Sequence, residues 1–218
     1  MRSELAVPSR RAGPDAVLLD MDGTLVDTEG LWWQAVAAVA GRPLTEADTP
    51  YVLGRTIEDV ARHLGEPGLT PRLTAAFGER VARDLTVVAG AAELLSGLAA
   101  AAIPTALVSA SPRSIVELVL PRLGHAFDLV IADEDTPRGK PWPDPYLEAA
   151  RRLGTVPSRC VAVEDSPAGI AAASAAGCLV LVAGPENGLP SLDHLRESFT
   201  CFPGGCPGGN AEGARDER

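Results

Sequence analysis

The sequence lacks a surplus of positive charge, and this limits the partners that the protein can bind. Its 19 Lys and Arg residues stand against 29 Asp and Glu residues, which gives a formal net charge of −10. A surface with this balance repels nucleic-acid phosphates and anionic lipid headgroups. We therefore expect neither nucleic acid nor a membrane as a partner, and any phosphate site must be built from a few local cations.

Long hydrophobic runs are also missing. Residues 1–14 include Arg2, Arg10 and Arg11 but no apolar stretch as long as a signal peptide needs. No later segment approaches the roughly 20 apolar residues of a membrane span. We expect a cytoplasmic protein, and we expect it to be monomeric.

Cysteine is scarce, with four residues in 218. Cys160 and Cys178 lie in apolar runs typical of core strands, while Cys201 and Cys206 flank a proline and two glycines. The histidine or second cysteine pair that a zinc site needs is absent nearby. We expect reduced thiols rather than a disulfide framework.

What the sequence does contain is a series of short apolar runs that alternate with helical patterns. The runs typical of buried parallel strands are residues 14–20, 104–109, 128–132, 160–164 and 178–182. The stretches with helical spacing are residues 91–102, 114–123, 144–153 and 168–176. This alternation predicts an α/β fold with a Rossmann-like, doubly wound parallel sheet.

One interval departs from this alternation. Between Asp27 and about Ala89 no strand pattern occurs, and the segment is typical of several helices. We predict a catalytic core made of residues 1–27 and 90–202, with residues 28–89 inserted as a helical cap above the carboxyl edge of the sheet. The Gly-, Pro- and charge-rich residues 203–218 are predicted to be a disordered tail.

The strongest chemical signal is the nonapeptide of residues 20–28, DMDGTLVDT, which directly follows the first strand. Two carboxylates at i and i+2, at the end of a strand, can both face one cleft. Gly23 allows a tight turn whose backbone N–H groups can approach a phosphate. This acidic turn also disfavours a dinucleotide oxidoreductase, which needs G-x-G-x-x-G there.

With three later motifs, the nonapeptide resembles the haloacid dehalogenase superfamily of phosphohydrolases, in its beta-phosphoglucomutase-like subfamily with a helical cap. The motifs follow in the family's order: VSAS at residues 108–111, GKP at 139–141 and VEDSPAG at 163–169. The resemblance spans residues 16–183. It implies a phosphoric monoester hydrolase that passes through an aspartyl-phosphate intermediate.

The resemblance implies that Asp20 is the nucleophile. A phosphomonoester dianion repels a carboxylate, so a hard cation such as Mg²⁺ must neutralise both. The expected ligands are Asp20, Asp165 and the backbone carbonyl of Asp22. Glu164 is either a further ligand, an orienter of the metal's waters, or a solvated carboxylate at a strand end.

The phosphoryl group is expected to contact Lys140, the Ser109 hydroxyl and the Ala110 N–H. Thr24 either bonds the phosphate, positions Asp22, or only stabilises the turn. Asp22 is expected to act as the general acid and base, protonating the leaving alkoxide and then activating water. An acid at this position excludes the dehalogenases and the phosphonate-cleaving members.

Substrate choice is expected to lie in the cap, where Trp32 and Arg55 are the candidates. Arg55 is either a ligand for a distal hydroxyl or phosphate or a surface arginine. Trp32 stands where beta-phosphoglucomutase has a histidine, and it is either part of the substrate pocket or part of the cap core.

The sequence therefore predicts a Mg²⁺-dependent phosphatase of a small sugar, polyol or cyclitol phosphate. The alternative is a beta-phosphoglucomutase-like sugar phosphomutase. A non-catalytic phosphate- or magnesium-binding relative is less favoured, because Asp20 and Asp22 are both present.

Overall fold

A computed structural model describes residues 13–184 and 186–200. Within these ranges the strands, in chain order, are β1 (Ala16–Leu19), β2 (Val26–Asp27), β3 (Thr86–Val87), β4 (Thr105–Val108), β5 (Leu129–Ile131), β6 (Cys160–Glu164) and β7 (Leu179–Val182). The predicted tail, residues 203–218, lies outside the described residues, as do Cys201 and Cys206.

The helices of the same ranges are α1 (Glu29–Ala40), α2 (Thr49–Val52), α3 (Ile57–His63), α4 (Thr70–Asp84), α5 (Ala91–Ala100), α6 (Arg113–Leu123), α7 (Asp144–Arg152), α8 (Pro167–Ala176) and α9 (Leu192–Thr200). Single 3₁₀ turns occur at Glu46–Asp48, Pro67–Leu69, Asp133–Asp135 and Pro157–Arg159. None of the described helices is long and apolar enough to span a bilayer.

Five parallel strands form the central sheet in the order β5-β4-β1-β6-β7. The first strand, β1, lies in the middle of the sheet, and later strands are added outward on both sides of it. The predicted doubly wound α/β fold is therefore confirmed. The order reverses at β1, and ligands of open α/β sheets bind at such a point, at the carboxyl ends of the strands.

Alternate residues of each central strand face opposite sides of the sheet. In β1, Val17 and Leu19 belong to the apolar cluster that also contains buried residues of α5 and α6. Ala16 and Leu18 belong to a second cluster, with buried residues of α7 and α8. Because both faces are covered by helices, β1 is apolar along its whole length.

Four helices, α1 to α4, lie between β2 and β3, as the predicted insert requires. The prediction that no strand occurs between Asp27 and Ala89 is wrong at Thr86–Val87, which pairs antiparallel with Val26–Asp27. Two residues are too few to show alternation, so the sequence pattern could not reveal this ladder. The residue limits of core and cap stay predictions.

The first apolar cluster continues from the sheet into these inserted helices. It includes Trp32 of α1, Val60 of α3, and Leu73 and Phe77 of α4. The ring centroids of Trp32 and Phe77 lie 5.3 Å apart in an edge-on arrangement that joins α1 to α4. The inserted helices therefore share one continuous apolar interior with this face of the sheet.

Candidate active site

The carboxyl edge of the sheet brings the sequence motifs together. Asp20 directly follows β1, Ser109 directly follows β4, and Glu164 is the last residue of β6. Because β1 lies between β4 and β6, these three residues stand at neighbouring strand ends. A cavity of about 170 Å³ opens between this edge and the inserted helices.

Most of the residues that the sequence predicted for the site line this cavity: Asp20, Asp22, Trp32, Arg55, Ala110, Lys140 and Asp165. Ser109, Thr24 and Glu164 do not line it. They are buried, and their side chains hold the residues that do. These three buried side chains therefore support the cavity lining through hydrogen bonds to Asp165, Asp22 and Lys140.

Asp20 and Lys140 form a buried ion pair at the floor of the cavity. Lys140 Nζ donates to Asp20 Oδ1 at 2.5 Å, to Glu164 Oε1 at 2.5 Å and to the Val108 carbonyl at 2.9 Å. These contacts use all three ammonium protons. Burial by itself would lower the pKa of Lys140, but the carboxylate of Asp20 and other neighbouring acidic groups outweigh burial and raise it.

Asp22 points toward a group of hydroxyls. Its Oδ1 accepts from Thr28 Oγ1 at 2.8 Å, and its Oδ2 accepts from Ser111 Oγ at 2.8 Å and Ser109 Oγ at 3.1 Å. The predicted phosphate ligand Ser109 thus contacts Asp22 here. Sequence reasoning did not identify Thr28 and Ser111 as site residues, although both lie inside the quoted motifs.

Thr24 is fully buried, and its hydroxyl donates to Asp165 Oδ1 at 2.9 Å. The Thr24 hydroxyl bonds to Asp165 and not to Asp22, and Thr24 does not line the cavity. Burial raises the pKa of Asp165, and the Thr24 hydrogen bond partly opposes this shift. Thr24 therefore orients a candidate metal ligand in this structure.

The donor set at this edge fits a hard divalent cation. One carboxylate oxygen from each of Asp20, Glu164 and Asp165 lies within 4.8 Å of the others. Asp20 Oδ2 is buried and accepts no hydrogen bond from the described residues. Burial, followed by the charge of Glu164, raises the pKa of Asp20. Mg²⁺ prefers oxygen ligands such as these, and a cation would supply the partner that Asp20 Oδ2 lacks.

Glu164 is fully buried, and the protein already supplies donors to both of its carboxylate oxygens. Oε1 accepts from Lys140 and also from Tyr146 Oη at 2.5 Å, and Oε2 accepts from Ser166 Oγ at 3.2 Å. The alternative of a solvated carboxylate at a strand end is therefore wrong. The sequence did not identify Tyr146, because an apolar helical pattern does not indicate whether a buried tyrosine hydroxyl bonds to a residue of the site.

The inserted segment supplies apolar residues of the cavity lining and two charged groups, Glu29 of α1 and Arg55 of the loop between α2 and α3. Trp32 is 8% exposed, and its indole Nε1 donates to the Val52 carbonyl at 2.9 Å. Trp32 is therefore part of the interior of the inserted helices as well as of the cavity wall. Arg55 is exposed, and its Nε donates to the Pro50 carbonyl at 3.0 Å.

Comparison with known proteins places this arrangement in a family. The sequence profile of the haloacid dehalogenase-like hydrolases matches residues 14–177. That range begins just before β1 and ends just after α8, so it includes all four motifs.

Individual relatives agree with this match. The chain is 31% identical to hexitol phosphatase A of Escherichia coli K12 over 194 residues, which is 82% of this chain and 87% of the relative. It is 32% identical to validoxylamine A 7'-phosphate phosphatase of Streptomyces hygroscopicus subsp. limoneus, over 73% of this chain and 81% of the relative. The solved structure of CbbY from Rhodobacter sphaeroides in complex with phosphate superposes with a TM-score of 0.72 at 27% identity, covering 80% of this chain and 88% of that one.

Proposed function

The chain belongs to the haloacid dehalogenase-like hydrolase family, and we propose that it is a Mg²⁺-dependent phosphatase of a small sugar, polyol or cyclitol phosphate. The observation that carries the proposal is the Asp20 carboxylate at the cavity floor. One of its oxygens lies 2.5 Å from the Lys140 ammonium, and the other has no hydrogen-bond donor among the described residues. Such a carboxylate is suited to attack phosphorus.

In the first half of the proposed reaction, an Asp20 carboxylate oxygen forms a bond to phosphorus and the phosphorus bond to the ester oxygen breaks. Asp22 donates a proton to the departing alkoxide. In the second half, water attacks the Asp20 phosphate and Asp22 takes its proton. Inorganic phosphate leaves, and Asp20 is regenerated.

Charge neutralisation is divided between the protein and the metal. Asp20, Asp165 and the Asp22 carbonyl would hold Mg²⁺, which supplies Lewis-acid neutralisation of the phosphate dianion when bound. Lys140 offers its positive charge to the same group, at the cost of one of its present contacts. Ala110 lines the cavity beside Ser111, where its N–H can donate to an equatorial phosphate oxygen.

The upper part of the cavity supports a hydroxylated substrate of modest size. Trp32, Phe77 and Ile57 contribute apolar side chains to the lining, and Glu29 and Arg55 contribute charged groups. Carboxylate and guanidinium groups can bind hydroxyls, while an apolar surface suits the C–H face of a sugar or cyclitol. The name of one relative, hexitol phosphatase A, agrees with this class of substrate.

The direct test is phosphate release from a panel of hexitol, hexose and cyclitol phosphates, measured with Mg²⁺ and with chelator. We expect turnover that depends on Mg²⁺, and we expect Asp20→Asn to lower kcat by about three orders of magnitude or more because an amide cannot attack phosphorus. Asp193→Asn makes the same chemical change at a side chain that is 87% exposed, and it should act like wild type. Release by Asp20→Asn at the wild-type rate would refute the mechanism.

The hydrolase assignment also predicts the fate of a hexose 1-phosphate. Trp32 stands where the mutase has a histidine, and its N–H is already bonded to Val52. We therefore expect free phosphate and hexose in phosphorus NMR of enzyme, Mg²⁺ and beta-glucose 1-phosphate, with or without glucose 1,6-bisphosphate. A 6-phosphate signal that grows faster than inorganic phosphate would instead identify a phosphomutase.

A further inference from the structure

Glu164 sits in a pocket that fits its carboxylate closely. Its side chain is fully buried and accepts hydrogen bonds from Lys140, Tyr146 and Ser166. A Cβ atom at position 169 would lie 1.8 Å from Glu164 Oε1, so only glycine leaves room for this carboxylate. The carboxylate is therefore held in one place by the surrounding protein.

Tyr146 is the aromatic member of this pocket. It lies in α7, six residues after Lys140, and it is fully buried. Its hydroxyl donates to the same Glu164 oxygen that Lys140 contacts, and its ring centroid lies 5.4 Å from Lys140 Nζ. Tyr146 thus touches both partners of the Lys140–Glu164 ion pair. It is absent from the residues that line the cavity.

From these contacts we propose that Tyr146 is a positioning residue that sets how the Lys140 charge is shared between Glu164 and Asp20. The inference rests on the proposed function, because its consequence is a change in catalysis. Lys140 lies 2.5 Å from each carboxylate, so the two acids compete for one ammonium. The Tyr146 hydroxyl donates a hydrogen bond to Glu164 and so partly stabilises its negative charge. Lys140 can therefore interact more strongly with Asp20.

Loss of the Tyr146 hydroxyl changes how the Lys140 charge is shared between Glu164 and Asp20. Among the described residues, Lys140 is then the one donor left to Glu164 Oε1, and the ammonium is drawn toward Glu164. Asp20 and the approaching phosphoryl group are less well neutralised, and their repulsion rises in the transition state. The loss falls mainly on kcat, since Tyr146 does not reach the cavity where substrate binds.

The sequence offers a matched pair of variants for the test. It has two tyrosines, and Tyr51 is 50% exposed and lies outside the cavity lining. Tyr146→Phe is expected to lower kcat about tenfold with KM changed less than about twofold, as for one hydrogen bond to a charged group. Tyr51→Phe makes the same chemical change and is expected to leave both constants unchanged.

A spectroscopic signal separates positioning from general loss of structure. Lys140 is the only lysine in the sequence, so protein labelled with ¹³C at lysine Cε gives one side-chain signal by NMR. Tyr146→Phe should shift this signal in metal-free protein, and Tyr51→Phe should not. If Tyr146→Phe does not fold, 3-fluorotyrosine in Tyr51→Phe protein alters residue 146 alone, and its more acidic hydroxyl should also shift the signal.

A double-mutant cycle with Glu164→Gln completes the test. If Tyr146 acts through the charge of Glu164, Tyr146→Phe has a much smaller effect on the Glu164→Gln protein than on the wild type, both in kcat and in the Lys140 signal. Equal effects in both backgrounds, or a Tyr146→Phe protein with wild-type kcat and an unshifted Lys140 signal, would overturn the inference. Failure of the wild type to hydrolyse any ester would refute the proposed function, and the Lys140 signal would still decide the contact.

Discussion

At the scale of single residues, the nonapeptide does more than supply Asp20 and Asp22. Gly23 has φ of +85°, and a Cβ there would lie 2.1 Å from Asp165 Oδ2. The neighbouring Thr24 donates to the other oxygen of Asp165, across a sequence separation of 141 residues. These two residues of the first motif therefore shape the position of a carboxylate in the last motif.

Gly23→Ala tests this relation. The substitution places a side chain at a positive φ and pushes Asp165 aside, so we expect a loss in kcat of at least about a hundredfold and a lower melting temperature. The measurement is phosphate release at saturating Mg²⁺, together with thermal unfolding.

The control is Gly30→Ala in α1. A Cβ at Gly30 meets no atom within 4 Å, and alanine is about 1 kcal/mol more favourable than glycine within a helix. This variant should melt slightly higher and keep wild-type turnover. Equal turnover of the two variants would show that Gly23 does not control Asp165.

At the scale of elements, the strands of the central sheet determine the positions of both the site residues and the buried cysteines. Cys160 begins β6 and Cys178 directly precedes β7, two strands that pair in parallel. Both cysteines are buried and free, and neither contacts the cavity. Burial raises the pKa of each thiol to about 12. Neither cysteine is part of a disulfide in this structure, and the expectation of reduced core thiols stays a prediction.

The raised pKa predicts that both thiols are inert in the folded protein. At pH 8 only about one thiol in ten thousand is ionised when its pKa is near 12, and only the thiolate is alkylated. Iodoacetamide at pH 8 should leave Cys160 and Cys178 unmodified in native protein and modify both in guanidinium, as read by peptide mass spectrometry. Rapid alkylation of either one under native conditions would contradict its burial.

At the scale of the whole molecule, an acidic protein has to attract a phosphate dianion. The formal net charge is −10, and Asp20, Asp22, Glu29 and Asp165 all line the cavity. Lys140 and Arg55 are the cations of that lining. Under the proposed function, a divalent cation would join Lys140 in neutralising these carboxylates, so metal binding and folding stability should be linked.

We therefore expect Mg²⁺ to raise the melting temperature of metal-free protein. At a free concentration of about one hundred times Kd, a ligand that binds only the native state adds about 2.7 kcal/mol to the free energy of unfolding. Differential scanning calorimetry with and without Mg²⁺ measures this. Asp165→Asn should lose most of the shift and Asp193→Asn should keep it, and equal shifts in these two variants would place the metal elsewhere.

The sequence by itself determined the elements of the core and the order of the chemical motifs. The predicted strand at residues 160–164 matches β6, and the helix at 91–102 matches α5 within two residues. These predictions succeeded because burial on both faces of a parallel sheet leaves continuous apolar runs, and because amphipathic helices repeat every 3.6 residues. Three of the four motifs are short segments at strand ends, and the GKP motif at residues 139–141 lies in the loop before α7.

Only the tertiary structure decided which polar groups hold one another. Thr24 contacts Asp165, Tyr146 contacts Glu164, and Ser111 contacts Asp22 over a separation of 89 residues. The paired strands Val26–Asp27 and Thr86–Val87 and the helix Leu192–Thr200 were likewise absent from the predictions. Periodicity reports which face of an element is buried. The partner of a buried hydroxyl depends on which distant segments of the chain pack together, and a local sequence pattern contains no information about that packing.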